Sequence, residues 1–299
     1  MNDLVISPAG IEDLGPLAGF MSNVSGSRVT QEYLEHWYFR NPSRSASVVM
    51  GRIHGRIVGM ATTNDHIFFG PAGRALVAMP QKVLTDPDYR GKGIFNRLYH
   101  AAEAACLDRG VSFFLTITNR ASTPIFLGRF GYVRSVSPRI VIRPMSFRSL
   151  PPAIENEQPL SGIEIPSNGW QLARDTEHLI WRYRDHPSSD HSHYCFPTRN
   201  GPGHLFVKKI RKKGLPVLLV LDNVAPAGQK GYLLELAGGI ARRQGCALVL
   251  VLDDAGSKGP WGFRINSGFN LLVKGRDVNE TRRLAAEKFH LSFGDLDFF

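Results

Sequence analysis

The sequence predicts a mixed α/β fold (α+β mixed sheet) arranged as two tandem domains, each a mixed, mostly antiparallel sheet flanked by helices. Three observations carry that expectation. Residues 1–147 read as a strand, two helices, three strands joined by short turns, a long helix and a strongly apolar strand. Residues 148–166 fall in the proline-rich, polar stretch MSFRSLPPAIENEQPLSGIEIP, which has no periodicity and reads as a linker. Landmarks of the first segment then recur in residues 167–299. WYFRNP at Trp37 is echoed by WRYRDHP at Trp181, an offset of 144, and FLGRFGYV by FRINSGFN, with Gly131 and Gly268 offset by 137. Two matched landmarks with a small drift in spacing argue for duplication.

Leu4–Ile6 is a short apolar strand, and Ile11, Leu14, Leu17 and Phe20 follow at helical spacing. Thr30 caps a second helix, through YLEHWYF, that stops ahead of Pro42 because the residue before proline disfavours helical backbone. SVVMGRIH, RIVGMATTNDHIFF and RALVAMPQKVLTD are strands separated by His54-Gly55 and Gly70-Pro71-Ala72-Gly73, turns short enough for an antiparallel meander. The helix Ile94 to Arg109 is closed by Gly110, which tolerates the left-handed backbone of a C-cap. VSFFLTIT is apolar throughout, as suits a strand buried on both faces. Past the linker, HLFVKKIRKKGLPVLLVLD reads as strand-turn-strand, Tyr232 to Gln244 as a helix and CALVLVLDD as another buried strand.

A content of 43% hydrophobic and 21% charged residues, without low-complexity stretches, argues for a packed core and against disorder. No apolar run approaches the roughly 20 residues that span a bilayer. MNDLVISPAG lacks the basic-then-apolar order of a signal peptide, so a cytoplasmic location is expected. The formal charge of +10 attracts anionic partners without choosing among them. Its densest run, Lys208–Lys213, reads as a solvated hairpin tip, and nucleic acid is disfavoured. Cys106, Cys195 and Cys246 are odd in number and set among apolar residues, which predicts buried free thiols. The string DHSHYC is too compressed to surround a metal tetrahedrally by itself, and no metal is implied.

The sharpest motif is VLTDPDYRGKGIF: a strand end, a proline, then Arg90-Gly91-Lys92-Gly93 opening a helix. Glycines let the backbone curl so that several N–H groups converge, and the helix start adds its positive end, which together make a seat for a diphosphate. A helix terminus contributes only on the order of 0.3–1 kcal/mol, so affinity must be shared with other amides and with Arg90 and Lys92. A phosphate loop of the Walker type needs four residues between its glycines and then Lys-Ser/Thr, and a dinucleotide fingerprint needs a third glycine; neither is present. A plain turn and helix cap is the remaining reading.

This loop resembles the pyrophosphate loop of the GNAT superfamily of N-acyltransferases: Arg or Gln, two residues, Gly, one residue, then Gly or Ala. FFLTITN and FLGRFGY follow at the family's distances, and the resemblance covers residues 1–145 well and the second half weakly. It implies direct transfer of an acyl group from acyl-CoA, acetyl-CoA foremost, to a small-molecule amine. An amino sugar or a nucleotide-linked sugar is the first candidate acceptor, and an acyl carrier protein is an alternative donor.

The residues it assigns to the cofactor are Val83, Leu84 and Thr85 along the pantetheine, Arg90, Gly91, Lys92, Gly93, Ile94 and Phe95 at the diphosphate, and Asn119 and Ser122 as polar contacts. Phe95 stands at the family's last Gly/Ala position. The tyrosine that often protonates the thiolate is replaced by Phe126, Leu127 and Phe130, and Tyr132 occupies a packing position. Asp65 and His66 are the candidate general bases, and as strand neighbours they face opposite sides. Arg40 and Arg184, in the two tryptophan motifs, are available to an acidic acceptor. The second half's APAGQKGYLLEL has no arginine ahead of its glycines, so that half is expected to be degenerate and to shape the acceptor pocket. The rival function, favoured by the missing tyrosine, is a catalytically weak acyl-CoA-binding module for sensing or assembly.

Overall fold

The computed structural model describes residues 3–43, 46–152, 168–188, 190–253 and 262–296. Positions 153–166 of the expected linker lie outside the described residues. The chain opens with β1 (Val5–Pro8), α1 (Leu14–Ser25) and α2 (Gln31–Leu34), which runs on into a π-turn at Glu35–Phe39. The meander β2 (Ala46–Ile53), β3 (Arg56–Gly70) and β4 (Gly73–Thr85) follows, then α3 (Ile94–Asp108), β5 (Phe113–Thr118), α4 (Thr123–Arg129), β6 (Val133–Arg134) and β7 (Arg139–Pro144). The second half repeats this order: β8 (Trp170–Leu172), α5 (Thr176–Leu179) with a π-turn at Ile180–Arg184, β9 (His191–Thr198), β10 (Gly201–Lys212) and β11 (Leu215–Val224). It ends with α6 (Lys230–Arg243), β12 (Leu248–Asp253), β13 (Phe263–Asn266), β14 (Asn270–Lys274), α7 (Val278–Ala286), β15 (Phe289–His290) and a 3-10 turn at Phe293–Asp295.

Two mixed sheets result, flanked by helices. The first has the order β1-β2-β3-β4-β5-β14-β6, with β8 and β15 branching from β3, and the second the order β13-β7-β12-β11-β10-β9. The first sheet therefore contains three strands of the second half, β8, β14 and β15, and the second sheet one strand of the first, β7. β14 pairs with β5 from Asn270↔Thr118 to Lys274↔Phe114, and β7 pairs with β12 from Leu248↔Pro144 to Asp253↔Arg139. The three central residues of β14, Leu271, Leu272 and Val273, are all buried, so both faces of that strand are covered.

The duplication extends to the hairpins. The β2–β3 turn puts His54 and Gly55 at φ 48° and 77°, and the β10–β11 turn puts Lys213 and Gly214 at φ 50° and 81°. A two-residue turn with both φ values positive matches the natural twist of the strands it joins. The Lys208–Lys213 run is thus a strand end and turn, as expected.

The sheets face each other across a shared core in which Val77, Met79 and Leu115 of the first meet Phe206, Leu219 and Leu250 of the second. On the far faces α3 covers the first sheet through Leu98 and Tyr99, and α6 covers the second through Leu233 and Ile240. All three cysteines are buried and free. Among the described residues no helix is long and apolar enough to cross a membrane.

Candidate functional site

β4 and β5 pair only at Val77↔Phe113 and Ala78↔Phe114 and then diverge, although β4 continues to Thr85 and β5 to Thr118. An extra residue in β4 bends it away: Ala61 pairs with Val83, but Thr63 pairs with Pro80. Thr62 pins this bulge by accepting the Lys82 N–H at 3.0 Å, and the Tyr38 hydroxyl lies 2.9 Å from the same oxygen. The second half keeps the same irregularity, with Phe206 opposite Asp222 but Val207 opposite Val220.

The open edge of β4 carries Val83, Leu84 and Thr85, which pair with β3 on one side only. It leads into Asp86, whose carboxylate accepts the Asp88 N–H at 3.0 Å and an Arg56 N–H at 2.8 Å, and so fixes the entry of the loop. Arg90, Gly91, Lys92 and Gly93 are exposed. Gly91 and Gly93 have φ 75° and 72°, left-handed values that a side chain would strain. Arg90 has no ion pair among the described residues, and the Lys92 ammonium sits 4.7 Å from the centre of the Tyr89 ring. Ile94 is buried and anchors the helix start, while Phe95 turns inward onto Phe130, with ring centroids 5.9 Å apart. Asn119 and Ser122 close their own loop: the Asn119 side-chain oxygen accepts the Ala121 N–H at 2.9 Å and the Ser122 N–H at 3.0 Å.

Asp65 and His66 do face opposite sides. Asp65 is fully buried toward α3 in a two-point ion pair with Arg109, whose Nη2 and Nε lie at 2.6 and 3.1 Å. Burial and the Asp65 carboxylate push the neighbouring Cys106 thiol up to about 11. His66 instead faces the second half, 5.9 Å from the His178 ring and 6.0 Å from Trp181. Burial, reinforced by the charge of Arg182, brings its pKa down to about 3, so it is neutral near pH 7. Burial also holds His178 well below the usual histidine range.

Arg40 and Arg184 lie exposed in local ion pairs, with Glu35 at 2.7 Å and with Asp185 at 2.9 Å. Tyr132 is buried as expected of a packing residue, its hydroxyl 2.5 Å from that of Tyr99, and burial drives both phenols well above their usual range.

Two features escaped the sequence. Gln81, on the bulge, accepts the Trp37 indole N–H at 2.6 Å and the Tyr38 hydroxyl at 3.4 Å through its side-chain oxygen. Its NH₂ is left without a partner among the described residues. Arg182, from the second π-turn, is buried with its guanidinium 4.7 Å from the Trp37 ring centre, against the face of the first half. Among the described residues no group of three or more His, Cys, Asp or Glu is placed to hold a metal ion.

Residues 17–132 match the acetyltransferase (GNAT) family. No curated protein sequence matches the chain. Among solved structures, a probable N-acyltransferase from Enterococcus faecalis superposes with a TM-score of 0.66 at 12% identity, covering 91% of this chain and 72% of that one. A GCN5-related N-acetyltransferase from Anabaena variabilis gives 0.65 at 13% identity, with 92% and 73% covered. A tandem GNAT protein from the clavulanic acid biosynthesis pathway gives 0.55 at 14% identity, with 91% and 98% covered. At these identities the likeness is one of fold.

Proposed function

We propose, from the premise that residues 17–132 belong to the acetyltransferase (GNAT) family, that the protein is an N-acyltransferase moving an acyl group, acetyl foremost, from CoA to a small-molecule amine. The observation that carries this reading is the continuity of the opened β4 edge with the Arg90–Gly93 loop. Val83–Thr85 offers unpaired backbone to an extended pantetheine arm, and the arm's diphosphate end arrives at Gly91, Gly93 and the start of α3. Arg90 and Lys92 supply the charge.

The reacting carbonyl falls at the β4 bulge. There the Gln81 NH₂, held by the two donors on its oxygen, is available to stabilise negative charge on that carbonyl. The neutral amine attacks the carbonyl carbon, a C–N bond forms and the C–S bond breaks. His66, neutral and on the inner face, accepts the proton lost by the amine, directly or through water, while Asp65 on the outer face keeps Arg109 and α3 in place. With no tyrosine acid, the thiolate takes its proton from water or receives through His66 the one the acceptor has lost, since an ordinary thiol pKa is about 8.5.

The second half walls the acceptor side and holds no second CoA in this reading. Its own bulge carries Asp222, tied to Arg174 at 2.5 Å and to the Tyr183 hydroxyl, and Gly294 packs so closely here that a Cβ on it would collide with the Tyr183 hydroxyl and the Asp222 carboxylate. Its loop, Ala227 to Gly231, has one lysine and no arginine.

A thioester-cleavage assay over a panel of amines tests the assignment, with calorimetry expected to give one CoA site per chain. CoA binding without cleavage for any amine would favour the sensor or assembly module.

A further inference from the structure

Three side chains on the inner face are more than nine-tenths buried yet keep polar atoms without partners among the described residues. They are His66, His178 and Arg182, at 7%, 8% and 6% exposure. These groups meet where β3 of one half packs against α5 and its π-turn of the other, with the His66 and His178 ring centroids 5.9 Å apart. Trp181 sits among them, its ring centre 6.0 Å from that of His66 and 5.5 Å from that of His178.

Arg182 is the unusual member. Its Nε donates to the Gly294 carbonyl at 2.8 Å and its Nη2 to the Leu296 carbonyl at 3.1 Å, while Nη1 donates to nothing among the described residues. No carboxylate of the described residues lies within 4 Å of it. Arg174, equally buried nearby, shows the alternative. It is held by Asp222 at 2.5 Å, by both oxygens of Asp295 at 2.7 Å and by Ser292 at 2.8 Å. Where a buried arginine is structural, this fold supplies its counter-charges. A buried cation without one is costly unless an anion arrives from outside.

We infer that Arg182 is the anion-recognition residue of the acceptor site, so that the amine acceptor carries its own anionic group, a carboxylate or a phosphate. This rests on the acyl-transfer reading above. A planar guanidinium with a free edge matches a two-oxygen anion. Arg182 is also placed to matter: its guanidinium lies over Trp37, and the Trp37 indole N–H is bonded to Gln81 on the bulge. An acceptor anchored at Arg182 thus has its amine directed at the reacting carbonyl. The charge of Arg182 also lowers the proton affinity of His66 and His178, so a bound anion relieves that effect as the amine must lose its proton.

The test compares amines in pairs that differ by the anionic group: L-tryptophan with tryptamine, L-lysine with cadaverine, O-phosphoethanolamine with ethanolamine. For at least one pair kcat/KM should favour the anionic member roughly 10- to 100-fold, the range of a charge-assisted hydrogen-bond pair. In Arg182→Met that ratio should collapse toward one, and Arg182→Lys should retain part of it. Thermal stabilisation of the wild type by the same pairs, with CoA present, reads the preference without turnover and without a variant that has to fold. Equal values within all three pairs for the wild type, or a preference that persists in a folded Arg182→Met protein, would overturn the inference. Turnover of the uncharged amines with no anion preference would refute this inference alone. Loss of CoA binding would refute the acyl-transfer reading.

Discussion

Trp37 and Trp181 stack with ring centroids 5.1 Å apart and planes 30° from parallel, although 144 positions separate them in the chain. Each follows a four-residue helix that runs into a π-turn, and each helix is capped by a side chain, Thr30 on the Tyr33 N–H and Asp175 on the His178 N–H. The duplicated elements meet ring to ring, and their indole N–H groups have diverged. That of Trp37 goes to Gln81, whereas that of Trp181 goes to the His36 carbonyl at 3.0 Å.

The divergence separates two otherwise similar substitutions. Trp37→Phe keeps the ring and frees the Gln81 amide to rotate, so kcat should fall about tenfold, or roughly 1.4 kcal/mol, with a smaller change in KM for acetyl-CoA. Trp181→Phe should instead lower stability by about 1 kcal/mol. Steady-state kinetics and thermal melts of the two variants check the split. Equal kcat losses would remove the role given to Gln81.

Gly93 has φ 72°, and a Cβ there meets nothing within 4 Å, so the obstacle to substitution is backbone conformation and not space. Gly93→Val should cost roughly 1–2 kcal/mol and turn the first amides of α3 away from the loop. The protein should still fold, and the rise in Tm given by CoA should vanish. An undiminished rise would mean that CoA binds elsewhere.

Acid should destabilise the protein well before its carboxylates titrate. Burial lowers the pKa of His66 to about 3 and those of His186 and His204 to about 4, and it also lowers His36, His178 and His191. A histidine whose folded pKa lies below its unfolded value near 6.5 binds fewer protons when folded. Its contribution is whole above pH 6.5 and is lost as pH falls toward the folded value. Tm should therefore drop steeply between about pH 6.5 and 4, with more than one proton taken up on unfolding. Calorimetry in buffers of different ionisation enthalpy measures that uptake, and a flat Tm across the window would show these histidines to be solvated.

A fragment of residues 1–150 should not form a stable first sheet. It lacks β14, which lies between β5 and β6, and it carries β7, whose partners are β12 and β13. Circular dichroism and gel filtration should report an aggregating or largely unfolded species. A monomeric, cooperative fragment with full activity would contradict this.

What the sequence made legible was local. The loop, the caps at Thr30 and Gly110, the two hairpins and the buried cysteines depend on neighbours a few positions away, and residue type alone signals them. The strand exchange was not legible, because apolar runs such as NLLVK and RIVIRP announce a buried strand without naming its partner. Arg182 was passed over for Arg40 and Arg184, the arginines that end the two motifs. A position-by-position comparison held the missing signal: in Trp-Tyr-Phe-Arg and Trp-Arg-Tyr-Arg, Arg182 stands where Tyr38 does. Tyr38 is a buried residue directed at Thr62 and Gln81.

The traded strands also set a timetable. Lys274, the last residue of β14, leaves the ribosome 156 positions after Thr118, the last of β5. At roughly 5–20 residues per second this is a delay of about 8–30 s. Throughout it the edge of β5 is newly made and unpaired, a ready template for wrong pairing with another nascent chain. The first half, which carries the proposed CoA loop, therefore cannot mature as a unit during synthesis. Its burden on chaperones, and its yield at different expression temperatures, should follow the rate at which the second half is translated.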